Sequence, residues 1–203
     1  MPSTFFRQDS IRLSQLLLGC ELVHITSEGV VAGRIVETEA YRRDDEASHS
    51  FRGQTPRNTV MFGPAGHAYI YFTYGMHYCF NIVAGESGYA EAVLIRALEP
   101  TQGIELMQQR RRTTDTHNLC SGPAKLVQAL GLTKSQNGAG LTTPELHLRS
   151  RTHEPIIHTG PRIGISRAKD VPWRFFIAGN PYITKHLFNK SALRLEHDQT
   201  SPD

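Results

Sequence analysis

Residues 90–98 read AEAVLIRAL, apolar enough for the middle of a sheet yet interrupted by Arg96. Near-continuous apolar runs of this kind belong to strands covered on both faces. Such a strand carries its arginine into the interior. Burial of an unpaired charge is costly, so Arg96 needs an acidic or hydrogen-bonding partner.

The candidates for that partner lie in Val36-Glu37-Thr38-Glu39-Ala40-Tyr41. Residues two apart along a strand share a face, so Glu37, Glu39 and Tyr41 project together. Two acids and a phenol make a poor hydrophobic surface. That face either meets solvent or lines a cleft, and a Glu–Arg pair there is either structural or part of a site.

Around these two strands the punctuation of the chain places the rest. Asp9 caps a short helix over 10–18 that Gly19 closes. Strands are expected over 21–26 and 29–41, joined by a turn at Ser27-Glu28-Gly29. Residues 42–66 are polar and broken by Gly53, Pro56, Gly63 and Pro64. They read as a long ordered loop or a set of short turns, and loops of that length in a compact domain are often functional. Residues 67–74 and 76–84 form a hairpin, and Glu99-Pro100 ends the strand over 90–98. Helical patterns cover 101–112 and 122–130. Residues 132–160 are loop-rich, with a strand near 145–149, and closing strands are expected over 162–166 and 173–178. The polar tail from about Lys190 is expected to fray. Strands outnumber helices and rarely alternate with them, which predicts one α+β domain over 1–190 around a mainly antiparallel curved sheet.

Composition narrows the class. The 203 residues are enough to bury a core without metal or disulfide staples, and 39% hydrophobic content describes a globular chain. Lys and Arg exceed Asp and Glu by 22 to 19, a mild surplus that permits a phosphate-binding face without demonstrating one. Cys20, Cys79 and Cys120 are odd in number and show no CxxC spacing, which argues against a disulfide framework or a zinc knuckle. The ten histidines show no HxH or HExxH pattern, so no metal is expected. No apolar run approaches membrane-spanning length, and the N-terminus lacks the pattern of a secretory signal. A reducing, cytoplasmic compartment follows.

Four of the seven tyrosines fall in the hairpin stretch YIYFTYGMHY, at Tyr69, Tyr71, Tyr74 and Tyr78. A core strand would use aliphatic residues, because each buried phenol needs a partner for its hydroxyl. Gln54-Thr55-Pro56-Arg57-Asn58 is either a phosphate clamp or an ordinary turn. Ser121-Gly122-Pro123-Ala124-Lys125 is either an anion-binding helix start or a plain cap. His49, inside the long loop, has no assignment from spacing alone.

Taken in order, GRIVETEAY (33–41), QTPRN (54–58), Tyr71 with Tyr74-Gly75-Met76, RALEP (96–100) and CSGP (120–123) resemble the mammalian-type alkyladenine (3-methyladenine) DNA glycosylases. The resemblance spans nearly the whole chain. It implies a monofunctional glycosylase that flips alkylated or deaminated purines out of double-stranded DNA and hydrolyses their N-glycosidic bond, the first step of base excision repair. In that reading Glu39 activates the water, and Arg96 with the backbone carbonyl of Ile177 helps hold it. Tyr41 lies on one face of the base, with His49 and Tyr71 on the other. Asn81 crowds the exocyclic amine of guanine, and Tyr74 enters the minor groove to fill the vacated stack. Thr55, Arg57, Met76, Tyr78 and Lys125 hold the DNA backbone. No cofactor is implied, and the protein is expected to be a monomer, associated with the nucleoid if bacterial.

Relative to that family, the segment from Tyr41 to His49 is one residue shorter, the connection from Asn81 to Arg96 about two longer, and His77 replaces an aromatic residue. The long polar N-terminal extension of vertebrate members is missing, which points to a compact bacterial form. Two other readings use the same residues. A non-catalytic nucleic-acid-binding module, similar in topology to the carboxy-terminal domain of methionyl-tRNA formyltransferase, would have no use for a carboxylate facing phosphates. A hydrolase of free nucleosides would leave Tyr74 and the clamps idle.

Overall fold

The computed structural model describes residues 1–73 and 75–195. Tyr74, expected to be the intercalating side chain, and the end of the tail from residue 196 lie outside the described residues. The fold is α+β: three helices pack on one large, open and mostly antiparallel sheet. Among the described residues no helix is long and apolar enough to cross a membrane.

The sheet is organised by one long strand. β1 (Glu21–Thr26) turns directly into β2 (Gly29–Tyr41), and β2 has two edges with different neighbours. β5 (Glu91–Gln102) runs along one edge for almost its full length. The other edge is shared: β1 pairs with the first half of β2, and β8 (Arg174–Ile177) pairs with Glu37 to Glu39. β3 (Ala68–Thr73) and β4 (His77–Ala84) form a hairpin whose second strand joins β5. β6 (Leu146–Arg149) extends β1, while β7 (Ile157–Gly160) and the two-residue β9 (Leu193–Arg194) extend β8.

The strand over 90–98 is longer than Glu99-Pro100 suggests. Pro100 lies opposite Gly33 at a register shift, where a missing N–H is tolerated. The expected strand over 162–166 does not form. Its alternating Ile163 and Ile165 imitate a strand, but Gly164 has a φ of +80° and the segment bends. β7 takes the place beside β8, in a stretch whose Gly and His gave no strand signal.

α1 (Ser10–Leu17) starts where the Asp9 carboxylate accepts from the N–H groups of Ile11 and Arg12, both at 2.9 Å. Its Leu13 and Leu17 join Ile35, Ile95 and Leu98 of the central strands in the main core. α2 (Ile104–Arg111) and α3 (Pro123–Leu130) add Met107, Leu126 and Leu130 to that cluster.

Two irregularities aim the polar residues. Between Ile35 and Glu37 the strand β2 carries one extra residue against β5. Between Ala97 and Ile95 the strand β5 carries one extra, Arg96, against β2. Compensating bulges of this sort twist the strands and redirect side chains without losing the register beyond them.

Candidate active site

Glu39 is fully enclosed and its carboxylate is almost saturated. Oε1 accepts from the backbone N–H of Ile163 at 2.7 Å and is ion-paired with Arg96 Nη1 at 3.0 Å. Oε2 accepts from the Tyr41 hydroxyl at 2.8 Å. A carboxylate oxygen offers two acceptor positions, so Oε2 keeps one beyond the phenol. Arg96 bridges both acids of β2, since its Nε donates to Glu37 Oε1 at 3.1 Å. Burial works against the arginine's charge, but Glu39 and then Glu37 more than offset this and hold it above its ordinary value.

Tyr41, Arg96 and Ile163 form part of the wall of a cavity of about 720 Å³. His49, Tyr71 and Asn81 line the same cavity, as do Thr55 and Tyr69. This volume falls in the usual range for a small-molecule site, roughly 300–1,000 Å³. The enclosed carboxylate therefore sits one layer behind an aromatic slot. Its links to that slot are Tyr41, Arg96 and Ile163, which line the cavity and bond to it.

The rings are held from behind. The Arg162 guanidinium stacks over Tyr41 with Cζ 4.7 Å from the ring centroid, and over Trp173 at 5.2 Å. Asp45 holds Arg162 in a two-pronged ion pair, and Arg162 Nη1 also donates to the Ala40 carbonyl at 2.9 Å. One face of Tyr41 is thus covered, which leaves the other for the cavity. Tyr71 meets His49 edge to face at 4.4 Å between centroids, and Arg57 Cζ lies 5.5 Å from its ring.

These phenols stay protonated. Burial, followed by the charge of Glu39 and the hydrogen bond to it, pushes Tyr41 well above the usual range. Burial raises Tyr71 as well, and Tyr69 to about 12. Burial and then the neighbouring Arg57 lower His49, so its ring is neutral near pH 7. Asn81 donates Nδ2 to the Tyr69 carbonyl at 3.0 Å, which orients its amide.

Of the residues expected on the DNA backbone, Thr55 lines the cavity. Thr55 is exposed with its N–H bonded to Asn58, and Arg57 donates to the Phe72 carbonyl at 3.0 Å, tying the loop to the hairpin. Met76 is 70% exposed, and Tyr78 is half-buried against Phe72. Lys125 bonds the Asn118 side chain, and burial, then Arg111, lower its affinity for the proton.

Ile177 ends β8. Its carbonyl closes a turn by accepting from Asn180 N–H at 3.3 Å, and its residue pairs with Ile157 three positions past the partner of Glu39. The backbone beside the carboxylate belongs to Ile163, whose N–H meets Glu39 and whose carbonyl lies 3.4 Å from Arg96 Nη1. Backbone groups leave no mark on residue type, so sequence reasoning missed it. Arg174 was missed for a different reason. It is a fully buried arginine in the apolar stretch RFFI, and the logic that singled out Arg96 finds it too.

A buried carboxylate paired with an arginine beside an aromatic slot suits hydrolytic chemistry, and comparison with known proteins agrees. The family model described as methylpurine-DNA glycosylase (MPG) matches residues 4–181. A protein of Methanoculleus marisnigri provisionally named a 3-methyladenine DNA glycosylase is 50% identical over 191 residues, covering 91% of this chain and 98% of its own. One of the same name from Chlorobaculum tepidum is 55% identical over 189 residues, covering 91% and 90%. A third, from Nitrosospira multiformis, is 48% identical over 184 residues, covering 91% and 93%. The protein is a hydrolase acting on N-glycosyl bonds. It belongs to the methylpurine-DNA glycosylase family.

Proposed function

We propose that the protein removes damaged purines from double-stranded DNA, taking each base out of the helix and cutting it from deoxyribose with a water activated by Glu39. The observation that carries this reading is the Glu39 carboxylate, held by Arg96 and the Ile163 N–H, with its free acceptor position beside Tyr41 at the slot wall.

Hydrolysis of an N-glycosidic bond passes through a sugar with oxocarbenium character. An N-methylated purine is already cationic, so it leaves with the bonding electrons as a neutral base and needs no acid. Water then adds to C1′ and Glu39 accepts its proton, which leaves an abasic site. One ionised carboxylate suffices both as general base and as a negative charge near the developing cation. Arg96 pairs with the Glu39 carboxylate, and the Ile163 carbonyl, which also meets Arg96, is assigned to accept from the same water. Deaminated purines are neutral and additionally require protonation of the leaving group.

Extruding a base costs a few kcal/mol, least at a damaged pair. Stacking on Tyr41 and Tyr71 returns about 1–3 kcal/mol per base, and a cationic base gains cation–π attraction. Tyr74 beside Gly75 is assigned to wedge into the space the base leaves, as minor-groove side chains do. Asn81 sets which purine edge fits. Thr55, Arg57, Met76, Tyr78 and Lys125 hold the flanking backbone.

The deciding experiment is Glu39→Gln on duplexes that each carry one defined lesion, read by alkaline cleavage at abasic sites. The expected result is loss of base release with duplex binding retained. Near-normal turnover by this variant, or equal turnover of a free nucleoside by the parent, would remove the basis of the proposal.

A further inference from the structure

The acid behind the catalytic one has no role in the mechanism above, yet it is among the most heavily bonded side chains in the molecule. Glu37 is fully buried, and its Oε1 accepts from Arg96 Nε at 3.1 Å and from Arg174 Nη1 at 3.0 Å. Its Oε2 accepts from the Thr184 N–H at 2.7 Å. Buried ion pairs contribute little net stability and are often replaceable by apolar residues. A four-membered network of two acids and two arginines in one sheet layer is therefore not explained by stability alone.

Two separate paths run from Glu37 to Glu39. The first is Arg96, whose guanidinium plane is set by Glu37 at Nε and meets Glu39 at Nη1. The second runs through Arg174, whose Nε donates to the Pro161 carbonyl at 2.9 Å, two residues before the N–H that bonds Glu39. Arg174 is held in turn by Asn189, whose Oδ1 accepts from both Nη1 and Nη2 at 3.0 Å and whose Nδ2 donates to the Thr184 carbonyl at 2.9 Å. The segment around 184–189 thus straps the back of the network.

The geometry points to Glu37 as a positioning residue for the hydrolysis: it orients Arg96 and Arg174 and balances their charge, so that Glu39 receives only part of it and stays aligned on its water. This rests on the reading of Glu39 as the base. The groups that face Glu39 are Arg96 from β5, Tyr41 from its own strand, Arg162 above that phenol, and Tyr71 with Cys79 from the hairpin. Glu37 lies one bond behind Arg96, and Arg174, the cross-strand partner of Glu39, bonds Glu37; the two carry opposite charge, so removing each changes the field at Glu39 in opposite directions.

That opposition supplies the test. Single-turnover base release is measured against pH on a duplex with one cationic N-methylated purine, for which no leaving-group protonation complicates the acid limb. Glu37→Gln removes the acid that Arg96 and Arg174 share, and the acid limb is expected to move down, with a slower plateau. Arg174→Gln removes a cation, and the limb is expected to move up. The position of the limb does not depend on the amount of active enzyme, so a partly unfolded preparation still reports it. A merely structural role would slow both variants without shifting the limb. Unshifted limbs, or shifts of the same sign, would overturn the inference. Glu39→Gln run in parallel separates the two claims: full activity there defeats the assignment of the base itself, whatever the other variants do.

Discussion

The clamp behind Tyr41 makes a quantitative prediction. Arg162→Met keeps the volume of the stack between Tyr41 and Trp173 but strands the Asp45 carboxylate, whose side chain is fully buried. Breaking a buried pair by deleting one partner costs about 3–5 kcal/mol, because the remaining charge has no compensation. The two cation–π terms add about 0.5–2 kcal/mol each, offset in part by sulfur–aromatic contact of the methionine. For a chain of this size, about 2–4 °C of Tm is lost per kcal/mol, so Arg162→Met should melt roughly 6–20 °C below the parent. Against a total of about 5–15 kcal/mol it should still fold at room temperature. Removing the second charge as well relieves the penalty. The double variant Arg162→Met/Asp45→Asn should therefore lose less than the sum of the single losses, by about 1–3 kcal/mol. Urea unfolding followed by tryptophan fluorescence is suited to this, since Trp173 is the chain's single tryptophan and touches the clamp. A single-variant loss below about 1 kcal/mol, or strict additivity, would refute the claim that the stranded charge dominates.

Three further outcomes are expected. Gly103 has a φ of +72°, and a Cβ there would lie 2.3 Å from the Val30 carbonyl oxygen, so Gly103→Ala should cost about 2 kcal/mol or more; Gly85→Ala, with φ of +73° but open space around it, should cost about 1 kcal/mol in the same unfolding assay. Burial raises the thiols of Cys20 and Cys79, and Cys120 to about 12. A disulfide reagent at mildly alkaline pH should therefore label all three at least about tenfold faster in denaturant than in the native protein, and one fast native thiol would contradict this. His49 is held below its ordinary 6.5, so the unfolded chain binds its proton more tightly. Its contribution to stability is complete above that value and is lost as pH falls through the lower folded one. The parent should therefore show a steeper fall in stability than His49→Gln between about pH 5 and 7.

Side-chain chemistry on regular strands was legible from sequence, and backbone chemistry was not. Glu37, Glu39 and Tyr41 share a face because strand period fixes it, and Arg96 had to find an acid because its neighbours are apolar. The bounds of β1 and β2 followed from alternation and a Gly turn. The end of β5 did not, since Pro100 is accommodated by a register shift that depends on what lies opposite. The segment 162–166 misled because two isoleucines two apart imitate a strand, while its real work is done by an arginine head group and a main-chain N–H. Asp45 meets Arg162 from 117 positions away, and no local pattern reports a contact of that range.

The double-edged pairing of β2 has a consequence for how this protein breathes. Glu37, Thr38 and Glu39 are bonded between β5 and β8 at once, so their amides cannot meet solvent through a frayed edge. In hydrogen exchange they should be among the last to take up deuterium, with protection approaching that of global unfolding. The slot walls drawn from residues 42–66 and 161–172 hang on connecting segments with much less sheet support. Mutational drift can reshape the slot while the carboxylate stays anchored in the least yielding part of the molecule.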